Sequence, residues 1–277
     1  MISSSSRVSS SSDATALIKQ GLTLLRRGKY SSAIDTFGQA IALDSKDATA
    51  WLYRAQASIQ ARDYEAALKD LRIALQIDSD YAEAWHTQGV AQAELRLYPS
   101  AVDSFDQAIA CNPDKDKVWY NKGQALLKLY QHAEALDSFN RALEIRADKH
   151  RTWYSKALAQ AALEQIRAAI ESIDQVVALK ENCHYAWNYR GTLLNRLFKH
   201  QDALESFQQS LKYCRLNPNA LYGIASCYAL ENNVETAALY LRQAVQINPH
   251  IYSLMARKDL NFEPIRNHPQ ISSILWG

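Results

Sequence analysis

The stretch DKVWYNKGQALLKLYQHAEALDSFNRALEIRADK, residues 116–149, decides the fold. Its first half puts Trp119, Gly123 and Leu126 on one helical face, at i, i+4 and i+7. Its second half sets Ala135, Leu136, Phe139, Ala142 and Leu143 at i, i+1, i+4, i+7 and i+8, the apolar stripe of an amphipathic helix. Two helices thus follow one another within this one stretch. The same pattern extends outward on both sides. Trp51, Trp85, Trp119, Trp153 and Trp187 recur at one constant interval without a slip, and Leu17 and Leu221 occupy the same slot one step further each way. Such a fixed period marks stacked supersecondary units.

Other slots keep the register. Four residues after the Trp slot come Gly21, Ala55, Gly89, Gly123, Ala157, Gly191 and Ala225. Sixteen after it comes alanine every time, from Ala33 to Ala237. Twenty after it come Phe37, Leu71, Phe105, Phe139, Ile173, Phe207 and Leu241. The frames are 14–47, 48–81, 82–115, 116–149, 150–183, 184–217 and 218–251, which leaves only the two ends of the chain outside them. Small residues at the crossing let two backbones approach, and the large Trp and Phe fill the space around it. The chain reverses at Gly28–Lys29–Tyr30, Arg62–Asp63–Tyr64 and Leu97–Tyr98–Pro99. Pro99 falls at the first turn of a second helix, a place that accepts proline. One pair cannot bury both faces alone, so stability comes from neighbouring pairs. On this reading Trp119→Ala costs ~3–5 kcal/mol, as for other large buried aromatics.

These slots resemble those of the tetratricopeptide repeat (TPR) family, from residue 14 to residue 251. A period of about 34 residues is the one that family keeps. The resemblance implies an all-α fold: a right-handed superhelix, or α-solenoid, of seven helix–turn–helix repeats with a concave groove that binds protein partners. The runs W-Y-N-K-G at 119–123 and W-Y-S-K-A at 153–157 are similar to those of bacterial, particularly cyanobacterial, members.

The flanks differ from the repeats. Residues 1–13, MISSSSRVSSSSD, hold eight serines and no apolar run. They read as a disordered leader and not as a secretory signal. Residues 252–277 leave the frame. Phe262, Ile265, Ile271, Ile274, Leu275 and Trp276 are spaced to cover an exposed face, so the stretch reads as a C-terminal cap, as repeat arrays require. No apolar run is long enough to span a membrane. The four cysteines form no C-x-x-C. Cys227 and Cys111 read as small core residues, whereas Cys183 and Cys214 fall near helix ends where exposure is expected. With no disulfide framework, a reducing, cytoplasmic setting fits.

No catalytic constellation emerges. None of the seven histidines stands in H-E-x-x-H or a similar metal spacing, and G-x-S-x-G and Gly-rich phosphate loops do not occur. The chain reads as a non-enzyme without a cofactor or metal.

In the family the groove is lined by the first helix of each repeat, and carrying those slots over by position gives the candidate partner-binding residues. Repeat 4 supplies Lys117, Tyr120, Asn121, Gln124 and Lys128. Repeat 5 supplies Arg151 and Tyr154. Repeat 6 supplies Tyr185, Asn188, Tyr189, Asn195 and Arg196, and repeat 7 adds Tyr222. Repeat 3 is the most acidic, at −3, and repeat 6 the most basic, at +3. The groove slots of repeats 4–6 hold Lys117, Lys128, Arg151 and Arg196 without an acid among them. Amides can bond an extended backbone, tyrosines give contact area at low entropic cost, and cations hold acidic side chains. The expectation is a scaffold or adaptor that binds an acidic peptide in repeats 4–6 and serves complex assembly. The carboxylate-binding set of chaperone-tail receptors is not reproduced, since Tyr120 and Gln124 stand where Lys and Asn would begin it. Two alternatives remain: an RNA-binding helical repeat, disfavoured by the net charge of only +2, and a self-assembling module using the C-terminal tail.

Overall fold

The computed structural model describes the backbone of residues 4–276, and all its regular elements are helical. The chain forms two compact units, residues 1–147 and 148–277. The first unit contains α1 (Ser4–Arg26), α2 (Tyr30–Leu43), α3 (Ala48–Gln60), α4 (Tyr64–Ile77), α5 (Ala82–Glu94), α6 (Tyr98–Cys111), α7 (Asp116–Lys128) and α8 (His132–Ile145). The second contains α9 (His150–Ala162), α10 (Ile166–Leu179), α11 (His184–Arg196), α12 (His200–Tyr213), α13 (Pro218–Leu230) and α14 (Val234–Ile247). It ends with α15 (Pro249–Lys258), a 3-10 turn (Leu260–Ile265) and α16 (Pro269–Trp276). From α3 to α14 a shorter first helix alternates with a second helix one residue longer, and the starts keep the interval of the tryptophans.

Local chemistry sets the boundaries. Asp63 accepts from the Ala66 N–H at 3.0 Å and so caps α4. Pro99 sits in the first turn of α6, where its missing N–H costs nothing. First helices end in a left-handed residue, at φ +64° for Arg62, +61° for Arg96, +60° for Tyr130 and Glu164, +59° for Phe198 and +57° for Asn232. The next N–H then reaches back five residues, as from Asp63 to the Ser58 carbonyl at 2.8 Å. This is the Schellman closure. Only Gly28, φ +73°, fills that slot with the residue that takes it without strain.

The core lies where first and second helices cross, and two slots are matched there. Gly21, Gly89, Gly123 and Gly191 face Phe37, Phe105, Phe139 and Phe207, with a hypothetical Cβ only 2.5–2.7 Å from the ring. Wherever the glycine slot holds Ala55, Ala157 or Ala225, the aromatic slot holds Leu71, Ile173 or Leu241, all fully buried. A methyl on one helix is exchanged for ring volume on the other, and packing density is conserved.

Several expectations need correction. The tryptophans are half-buried, not the centre of the core. Trp51, Trp85, Trp119 and Trp187 donate their Nε1–H to the carbonyl six positions earlier, as Trp119 does to Pro113 at 2.8 Å. They fasten a first helix to the turn before it, so the cost expected for Trp119→Ala belongs to Phe139 instead. Helix α1 starts at Ser4, inside the stretch expected to be a disordered leader. No Gly or Pro interrupts residues 4–20, so a helix once nucleated has nothing to stop it. Residues 1–3 of that leader lie outside the described residues. Cys183 is buried under α9 and α10, and Cys111 is exposed, the reverse of their expected places, while Cys227 is buried as expected.

After α14 the chain packs on the last pair. Tyr252, Ala256, Phe262, Ile265, Ile271 and Leu275 join the core of α13 and α14. The 3-10 turn lies on α13 and α16 lies on α14. Trp276 remains 62% exposed, held beneath the Arg257 guanidinium at 4.1 Å.

Candidate partner-binding clefts

In the first unit, first helices turn their polar faces to open clefts. Asn121, Gln124 and Lys128 share one face of α7, at i, i+3 and i+7. With Glu94 of α5 and Tyr98 of α6 they line a cleft of about 450 Å³. Lys117 and Tyr120 lie outside that lining. Tyr120 instead sets its ring 6.1 Å from that of Phe139, so it serves the core more than a ligand. Asn121 Nδ2 stands 2.9 Å from His86 Nε2. Burial pushes the His86 pKa down, and Lys117 adds to that while Glu83 opposes it. The neutral imidazole therefore accepts the amide N–H. A second cleft, about 380 Å³, lies between α3 and α5 beside Gln56, Glu83, His86 and Thr87.

The second unit places its candidates in two groups. Arg151 is exposed at the start of α9. Tyr154 meets Tyr185 edge-on at 4.9 Å and Tyr189 at 5.7 Å. Burial, first of all causes, pushes the hydroxyls of Tyr154 and Tyr185 up to about 12 and also raises Tyr189. The cluster stays neutral and presents ring surface with bound protons.

Asn188, Asn195, Arg196 and Tyr222 line a separate cleft of about 430 Å³. Here the structure adds groups that the repeat slots did not supply. Arg196 pairs with Glu164 of the preceding turn at 2.6 Å. Asp259, Asn261 and Met255, from the segment after the repeats, form part of the wall. Tyr222 is buried and donates its hydroxyl to Asp259 at 2.7 Å, and burial with that carboxylate drives its pKa far up. The acid-free reading of these slots therefore does not extend to the cleft itself. A signal existed for Asp259, which stands one full repeat after Ala225 and continues the small-residue slot beyond the last frame.

Among the described residues no three His, Cys, Asp or Glu are grouped to hold a metal ion. No described helix is long and apolar enough to cross a membrane.

The tetratricopeptide repeat family model matches residues 18–82, 86–150, 154–212 and 196–250. Among functionally curated proteins no relative matches. Solved structures do. YrrB, described as a TPR protein with an unusual peptide-binding site, is 22% identical with a TM-score of 0.62, over 67% of this chain and 96% of its own. MamA from Desulfovibrio magneticus is 25% identical with a TM-score of 0.59, over 61% and 96%. A TPR repeat-containing protein from Cytophaga hutchinsonii is 13% identical with a TM-score of 0.70, over 84% and 95%. With the family model covering well over half of the sequence and the helix pairs recurring in its register, this chain belongs to the tetratricopeptide repeat family.

Proposed function

We propose that this chain is a non-enzymatic protein-interaction scaffold that takes a partner peptide on its first-helix faces and favours acidic side chains there. The observation that supports this most is the face of α7, where Asn121, Gln124 and Lys128 converge on an open cleft of about 450 Å³. Amides there can bond a peptide backbone, and an ammonium at the rim can hold a carboxylate. Among the described residues Lys117, Lys128 and Arg151 enter no intramolecular ion pair, whereas Arg196 is already matched by Glu164. The acidic preference therefore rests on Lys117, Lys128 and Arg151. The tyrosine cluster of Tyr154, Tyr185 and Tyr189 adds apolar contact with fixed rings.

A peptide array of acidic, neutral and basic sequences, probed with the full chain, tests this reading. Acidic peptides are expected to be enriched among binders. The triple variant Lys117→Ala, Lys128→Ala, Arg151→Ala, with helicity checked by circular dichroism, is expected to lose them. Equal capture by wild type and variant overturns the proposed site, and enrichment of basic peptides overturns the proposed partner chemistry.

A further inference from the structure

The cleft in the second unit has a hydrogen-bond balance of its own. Its hydroxyl donors are spent within the protein. Tyr222 gives its O–H to Asp259 Oδ2 at 2.7 Å, and Ser226 gives its O–H to the same oxygen at 3.4 Å. Asn261 gives its side-chain N–H to Ser226 Oγ at 2.8 Å and its backbone N–H to Asp259 Oδ1 at 3.0 Å. Tyr252 gives its O–H to Asn219 Oδ1 at 2.7 Å, and Thr192 gives its own to the Asn188 carbonyl at 3.1 Å.

The Asp259 carboxylate keeps acceptor capacity beyond these contacts. A carboxylate has about four lone-pair positions, and Asp259 uses three of them on these contacts. Asn188 Oδ1, on the same wall, meets no donor among the described residues. Charge runs the same way. Arg196 is matched by Glu164 at 2.6 Å. The Arg266 guanidinium is turned to the backbone carbonyl of Asp259, at 2.7 Å, and not to its carboxylate. Phe207, Gly223 and Met255 supply an apolar side to the same cleft, suited to the methylene stem of a long side chain.

We infer that this cleft binds a cationic, donor-rich side-chain head, the guanidinium or ammonium of an arginine or lysine presented by a partner, with Asp259 as its counter-ion. The inference rests on the reading of the first-helix faces as a peptide surface, and it assigns one subsite there the opposite charge preference.

Methionine gives a direct reporter. The sequence has only Met1 and Met255, so methyl-13C-methionine labelling of the full chain yields two methyl signals, one on the cleft wall. The probes are Nα-acetyl-arginine amide, Nα-acetyl-lysine amide and the neutral isostere Nα-acetyl-citrulline amide, each titrated to about 10 mM, since single side chains bind at the millimolar level. The arginine and lysine probes are expected to move the Met255 signal saturably, and citrulline is not. Asp259→Asn, which keeps a capping side chain for the 3-10 turn, is expected to weaken binding ~10-fold or more, the effect of removing one partner of a charge pair.

Glu164→Lys is the second variant, at a residue 77% exposed on its side chain. It unmatches Arg196 without touching the fold and is expected to weaken the same titration. Equal shifts with citrulline, no saturable shift, or undiminished binding in both variants overturns the inference. If acidic peptides bind the array while these probes leave Met255 unmoved, this inference fails alone. If the array is blank while Met255 still responds, the peptide reading fails and the cleft stands.

Discussion

The matched pair Gly123 and Phe139 gives the sharpest test of how this array is packed. A Cβ at Gly123 would lie 2.6 Å from Phe139 Cε1, 2.8 Å from Cζ and 2.9 Å from Cδ1. Phe139 is 0% exposed, so its ring has nowhere to retreat. Gly123→Ala is thus an overpacking change costing ~1–3 kcal/mol, against which the better helix propensity of alanine returns ~1 kcal/mol. Phe139→Leu alone opens a space and costs ~1–2 kcal/mol, by analogy with other buried large-to-small changes. Together the two changes rebuild the Ala–Leu pairing found at Ala55/Leu71 and Ala225/Leu241. The double variant is therefore expected to be more stable than the sum of the single effects, with a coupling of at least ~1 kcal/mol. Urea unfolding of all four proteins, followed by circular dichroism, closes the cycle. Additive effects within ~0.3–0.5 kcal/mol would refute the reciprocal packing.

Two further outcomes follow from local geometry. Tyr130 and Phe198 are 82% and 83% exposed in left-handed conformations, so Tyr130→Gly and Phe198→Gly are each expected to stabilise by ~0.5–1 kcal/mol. An unchanged or lowered urea midpoint would show that these rings carry stability through His132 and His200, which they meet edge-on. His86 has its pKa lowered in the folded protein, first by burial and then by Lys117. The unfolded chain therefore binds the proton first. Its contribution is whole above its ordinary value of 6.5 and is lost as pH falls below it. Unfolding curves of wild type and His86→Gln at a series of pH values should show a shallower acid loss in the variant, and parallel curves would count against the buried neutral imidazole.

Fold class and register were legible in the residue pattern. A constant period with small and large residues at fixed offsets specifies helix pairs, because only one helical face per turn can be buried. Asn121, Gln124 and Lys128 came from the groove slots that the family resemblance implies, and their i, i+3, i+7 spacing puts them on one helix face. The tryptophans were misjudged, because size suggested the core while their indole N–H bonds to the preceding turn set their actual place. Charge at the candidate site was legible only in part. Glu164 and Asp259 sit outside the first-helix slots, one in a turn and one beyond the last frame, and chain distance hid their approach to Arg196 and Tyr222. A hydrogen-bond balance is a property of all groups that converge on a point. Slots in a sequence name the groups on one wall, and the tertiary structure alone decides what the other walls bring.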